Sequence, residues 1–147
     1  MHHEGKFEVK ASQEKVWSFL MDPQSIGNCV PGVESIEVID KTKFKSSVKT
    51  GIGPIKSIFK FSFEIKDMNP ISHAKLEGRG SGSGSYIDLV TSFDLVANGE
   101  SETVLNWTAD SSISGMIASI GLKFVEGAAK SNIQQIFKNL KNKLEQY

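Results

Sequence analysis

The sequence predicts an α+β fold: a seven-stranded antiparallel sheet wrapped around one long C-terminal helix, with two short helices after the first strand. Three observations predict it. From Val33 onward, apolar and polar residues alternate through six segments separated by turn signals, a period of two that marks strands with one dry and one wet face. From about Ser119 to about Glu145 the period becomes three to four, which marks an amphipathic helix. Between two strand-like segments, Gly78, Gly80, Gly82 and Gly84 occupy alternate positions. This spacing leaves a stripe of one sheet face bare, at about 0.5–1 kcal/mol per glycine, and so predicts close approach of a helix or a ligand there.

The elements follow in order. Gly5 to Lys10 alternates Phe7 and Val9 against charged neighbours and reads as the first strand. Ser12 can cap a short helix whose apolar side is Val16, Trp17, Phe19 and Leu20, with Glu14 in the first turn where the helix dipole favours it. Pro23 ends that helix and can open a second through Gln24 to Asn28, and Pro31-Gly32 turns the chain out. Six strands are expected at Glu34–Ile39, Lys43–Thr50, Ile55–Asp67, Ala74–Gly82, Tyr86–Ala97 and Glu102–Ile113. The breaks fall at Asp40-Lys41, Gly51 to Pro54, Asn69-Pro70, the serine-glycine run and Asn98-Gly99. In the third of these strands Ile55, Phe59, Phe61, Phe63 and Ile65 share one face, while Lys56, Lys60, Glu64 and Lys66 share the other.

The last helix carries Ile120, Phe124, Val125, Ala128, Ile133, Ile136, Phe137, Leu140 and Leu144 on its apolar side. At about 1.5 Å per residue it spans roughly 40 Å, enough to cross a domain. Gly121 and Gly127 weaken its start and allow bending. Nearest-neighbour pairing of the strands curves the sheet around this helix, an arrangement known as the helix-grip fold. A single domain over residues 1–147 is expected.

Composition narrows the function. Seventeen basic residues balance 17 acidic ones, and Arg79 is the only arginine, so neither a nucleic-acid footprint nor bidentate phosphate recognition is expected. Cys29 is the only cysteine, which excludes an internal disulfide and suits a reducing, cytoplasmic setting. No apolar run approaches the roughly 20 residues that cross a bilayer, and no signal sequence is evident.

The residues carry a resemblance. Glu4 to Val9, Val16 to Pro23, Cys29-Val30-Pro31-Gly32-Val33-Glu34-Ser35, Gly53-Pro54-Ile55-Lys56 and Leu76 to Gly82 together resemble the carbon monoxide dehydrogenase G-subunit family. That family lies within the START-like (SRPBCC) superfamily, with the birch pollen allergen and polyketide cyclases. The resemblance runs nearly end to end. It implies a ligand-binding accessory protein for a carbon monoxide dehydrogenase-type molybdenum hydroxylase, with an isoprenoid quinone or lipid as cargo. Several members carry a tail beyond the START-like domain that could reach a membrane. Here the chain stops at Tyr147, so no stable membrane anchor is expected.

No catalytic constellation emerges from the residues. The pair His2-His3 sits at a terminus expected to fray, and neither it nor His73 has ligand-spaced cysteines or carboxylates, so no metal or other cofactor is expected. Nothing near Cys29 lowers its pKa, which leaves it a small buried residue rather than a nucleophile. Asp88, Asp94, Asp110 and Arg79 fall by alternation on the outer, solvated face.

What remains is an apolar interior. Its expected lining is Phe59, Phe61, Phe63, Leu76, Gly78, Gly80, Gly82, Leu89, Phe93, Trp107, Ile113, Ile117, Ile120 and Phe124, with Leu95, Leu105 and Ile136 behind them. The same residues would equally serve an ordinary packed core. A pocket of roughly 300 Å³ left dry would forfeit about 7 kcal/mol at about 24 cal/mol per Å³. That is comparable with the whole stability of a domain, about 5–15 kcal/mol. The interior therefore holds a ligand, holds water, or closes by movement of the glycine-bearing helix. The leading expectation is a non-catalytic binding protein for an apolar molecule. An enzyme in the same fold would need an inward polar residue, with Thr91 and Ser111 as candidates, and a protein-interaction adaptor is the third possibility.

Overall fold

The computed structural model describes residues 1–52 and 54–146, with only the backbone described for Ile52 and Ile55. The expected loop Gly51-Ile52-Gly53-Pro54 therefore lies partly outside the described residues, as does the inward placement of the Ile55 side chain. The observed elements are β1 (His2–Val9), α1 (Gln13–Leu20), α2 (Pro23–Gly27), β2 (Val33–Val38), β3 (Lys43–Ile52), β4 (Ile55–Asn69), β5 (His73–Gly82), β6 (Ser85–Ala97), β7 (Thr103–Gly115), a 3₁₀ turn (Ile117–Ile120) and α3 (Leu122–Leu144).

The seven strands form one antiparallel sheet in the order β1-β7-β6-β5-β4-β3-β2. The two strands flanking α1 and α2 thus sit at opposite edges, and every other strand-to-strand connection is a hairpin between neighbours. Ser12 caps α1 as expected, its Oγ accepting from Lys15 N at 3.2 Å. Two boundaries differ from expectation, and one glycine of the stripe falls in the expected serine-glycine turn. β1 starts at His2 and pairs with β7 through all eight residues, so the histidines belong to the sheet and are not a frayed terminus. The start of the last helix is broken: Gly121, at φ 108°, separates the 3₁₀ turn from α3. Of the four alternate glycines, Gly84 (φ 71°) is in a two-residue turn with Ser83 (φ 49°), while the other three lie in β5. Positive φ at both turn positions matches the twist of a tight hairpin and favours glycine.

The concave face carries two separate packed clusters. One gathers Val9, Val16, Leu20, Cys29, Leu95 and Leu105 around Leu140 and Leu144 at the C-terminal end of α3, with Phe7, Trp17, Phe93, Trp107 and Phe137 packed against it. The other gathers Phe59, Ile117 and Val125 at the N-terminal end of α3, with Phe61, Ile87, Ile113 and Ile120 around them.

Candidate functional site

The register settles which side chains look toward α3. Residues directly opposite one another in an antiparallel pair share a face. One inward row runs Phe63–Gly78–Leu89–Ser111 across β4 to β7, and the next runs Ile65–Leu76–Thr91–Ala109–His3 from β4 to β1. Toward one end lie Phe61–Gly80–Ile87–Ile113, and toward the other Ala74–Phe93–Trp107–Gly5. The inward strand residues expected from alternation lie on this face, Ile55 excepted because its side chain is outside the described residues. Thr91 and Ser111 lie there too, whereas Arg79, Asp88, Asp94 and Asp110 lie on the outer face.

The glycine stripe is filled by aromatic rings from the neighbouring strand, not by the helix. A Cβ on Gly78 would sit 2.5 Å from the Phe63 ring, and one on Gly80 would strike the ring of Phe61. Gly5 has the same relation to Trp107, whose ring would lie 2.9 Å from an added Cβ. Each of these glycines is the register partner of the ring that covers it. Glycine lets the ring lie flat across the strand, so the concave floor is paved with aromatic faces. Phe44, Phe63 and Phe61 stack in sequence, with ring centroids 4.9 and 5.4 Å apart. Gly82 has a different constraint, because its Cβ would meet the carbonyl oxygen of Ile58 at 2.6 Å.

The middle of the floor is left unclaimed. Phe63, Leu76 and Leu89 are only half-buried and belong to neither packed cluster. A space of about 10 Å³ opens beside Leu76 and Phe93, beneath Leu20, Met21 and Ile26. That is one water molecule at most. Ile117 is fully buried at the far end, but Phe124 is 54 % exposed and Leu122 64 % exposed, so the first turn of α3 turns apolar side chains outward. Phe124 therefore does not reach the floor that sequence periodicity assigned to it.

Polar groups on this face are few. Ser85 is buried and its Oγ accepts from Ile117 N at 2.9 Å, tying the 3₁₀ turn to β6. Thr103 donates to Ala11 O at 2.8 Å. His3 is the titratable side chain that sequence reading missed. It is partly buried, and the alternation His3, Gly5, Phe7, Val9 would have placed it inward with the two apolar residues. Cys29 is fully buried with its thiol pushed up by burial, an inert environment. Among the described residues no three His, Cys, Asp or Glu side chains are grouped so as to hold a metal, and no helix is long and apolar enough to cross a membrane.

Solved structures with the same arrangement exist. A conserved protein from Geobacillus kaustophilus superposes with a TM-score of 0.89 at 30 % identity, over 98 % of this chain and 95 % of that one. A START superfamily protein from Mycobacterium smegmatis gives 0.72 at 16 % identity, over 99 % and 97 %. The Zhui aromatase/cyclase from Streptomyces sp. R1128 gives 0.75 at 12 % identity, over 99 % and 93 %. The last two likenesses show the START-like fold alone. No curated protein matches the sequence. Residues 5–145 match the family described as the G-subunit of carbon monoxide dehydrogenase, CoxG. Family and fold together support a ligand-binding accessory role at the level of the family. On the strength of that match, which spans nearly the whole chain, the protein belongs to the CoxG family.

Proposed function

We propose that the protein is a non-catalytic carrier of a long apolar molecule, a lipid or an isoprenoid quinone, accessory to a carbon monoxide dehydrogenase-type enzyme. The observation that carries this reading is the half-buried apolar floor between the two packed clusters, where Phe63, Leu76 and Leu89 belong to neither cluster. Its flanks, Phe61, Phe93 and Trp107, are apolar as well, and the polar side chains His3, Thr91 and Ser111 are few beside them, which favours an apolar cargo over a sugar, a nucleotide or a charged metabolite. A space of about 10 Å³ is far below the roughly 300 Å³ of a ligand pocket. Loading therefore requires the N-terminal half of α3 to move away from the floor. Gly121 and Gly127 permit it: the first has a positive φ and no side-chain cap on the helix it begins, and the second has open space around it. The lining would then be Phe59, Phe61, Phe63, Leu76, Leu89, Phe93, Trp107, Ile113, Ile117 and Ile120, with Gly78 and Gly80 beneath the rings.

Solvent extraction of the purified protein followed by mass spectrometry tests the cargo. A stoichiometric lipid or quinone is expected, and re-addition of that compound to stripped protein should raise the melting temperature. An empty extract together with unchanged melting in quinones and fatty acids would favour an adaptor role instead. A catalytic reading rests on His3, Thr91 and Ser111, which share the floor. Recovery of the bound compound chemically unchanged after prolonged incubation with the wild-type protein would remove that reading, whereas conversion that is lost in His3→Ala would support it.

A further inference from the structure

A groove lies on the outer face of the sheet, away from α3. It has a volume of about 570 Å³ and runs across five strands, from Glu37 on β2 to Tyr86 on β6. At a strand spacing of about 4.8 Å it is about 19 Å long, the length of some six residues of extended chain at about 3.3 Å each.

Its floor is formed by short serine side chains, and its charge is unbalanced. Ser62 is flanked in register by Lys45 on one side and Arg79 on the other, and Lys60 lies two residues along the same strand. Two other cations of this face are paired, Lys66 with Glu77 at 2.8 Å and Lys75 with Asp67 at 3.8 Å, while Lys43 and Lys49 on β3 have no ion pair among the described residues and extend the positive field of the groove. Lys45 and Lys60 have no ion pair among the described residues, even though Glu37 is the register partner of Lys45. Arg79 spends its Nε on Asp88 Oδ1 at 2.8 Å, but its side chain is 82 % exposed, so the guanidinium's other donors face the groove and solvent.

We propose that this groove binds an extended acidic segment of a partner protein, independently of what the concave face carries. Lys45 and Lys60 are diagonal neighbours across a strand pair, about 7–8 Å apart at the backbone. Alternate residues of an extended peptide are separated by about 7 Å, so carboxylates at alternate positions meet successive cations. The hydroxyls of Ser47, Ser62 and Tyr86 are then in place to bond the peptide backbone, and the tyrosine ring walls one end.

The test is fluorescence anisotropy of a fluorescein-labelled peptide of alternating glutamate and serine, at low ionic strength, where surface charge is least screened. Saturable binding that weakens with added salt is expected. The double variant Lys45→Glu, Lys60→Glu should weaken it at least about tenfold, two units of charge having been reversed at exposed positions that do not disturb the fold. A matched reversal on α3, Lys138→Glu with Lys141→Glu, should leave it unchanged. Absence of saturable binding, or equal loss in both double variants, would overturn the proposal. So would displacement of the peptide by an equal concentration of inorganic phosphate, or binding to anionic phospholipid vesicles without binding to the peptide.

Discussion

The two halves of α3 rest on the same sheet yet are held very differently. At the C-terminal half Leu140 and Leu144 are each 1 % exposed, and Phe137 packs against both Phe7 and Trp107 at centroid distances of 5.0 Å. Three hydrogen bonds add to this: Asn139 Nδ2 to Cys29 O at 2.9 Å, Lys15 Nζ to Leu144 O at 2.9 Å, and Lys10 N to Glu145 Oε2 at 2.8 Å. At the N-terminal half Val125 is the sole described helix residue buried before Leu140, and Leu122 and Phe124 face outward. No described side chain caps that end. The difference teaches that one end of the helix is anchored, while the other, held by Val125 over Phe59 and Ile117, is the flap that the proposed loading would lift from the floor between them.

The largest test of this asymmetry is truncation at each end. Leu140→Ala should cost about 2–5 kcal/mol, as a fully buried leucine does. Phe124→Ser should fall within about 0.5 kcal/mol of wild type, as surface changes do. Chemical denaturation of both variants checks the contrast, and equal losses would abolish it. Gly80→Leu comes next, because its side chain must displace the Phe61 ring; overpacking of about 1–3 kcal/mol and loss of cargo are expected. A smaller effect of opposite sign is predicted for Gly127→Ala. Open space surrounds that position, so helix propensity alone should raise stability by about 0.5–1 kcal/mol while slowing cargo exchange, read as the rate of quinone transfer to acceptor vesicles.

The smallest effect belongs to the sheet edge, far from both halves. His2 Nδ1 lies 2.5 Å from Asp110 Oδ1, and that bond raises the imidazole above its ordinary value near 6.5. A raised folded value means that the contribution is complete at pH below the unfolded value and fades as pH rises through the folded one. Both groups are exposed, so the effect on melting should be slight. An NMR titration of the His2 ring should show the raised value, and Asp110→Asn should return it toward normal.

Most of the fold was legible because its signals are local. Alternation in Phe59 to Ile65 fixed the inward face of β4, Ser12 fixed the start of α1, and Pro-Gly and Asn-Gly pairs marked turns. The misreadings are all tertiary. Nothing local says that the space above Gly78 and Gly80 belongs to rings one strand away, since that depends on the β4–β5 register. Nor does periodicity reveal that Phe124 stands exposed, because the break at Gly121 resets the helix phase. The outer groove was invisible for a related reason: Lys45, Lys60 and Arg79 are far apart in sequence and are brought together only by register around Ser62.

Whether the floor beneath the flap takes a long apolar molecule is tested most directly by tryptophan fluorescence. Trp107 borders the floor, and Trp17 can be silenced as Trp17→Phe. In that variant, titration with an isoprenoid quinone should quench Trp107 saturably, and adding Leu89→Trp, which fills the middle of the floor, should weaken binding of the quinone as read by displacement from the protein. Quenching that never saturates, or that is indifferent to the filled floor, would contradict a cargo site there.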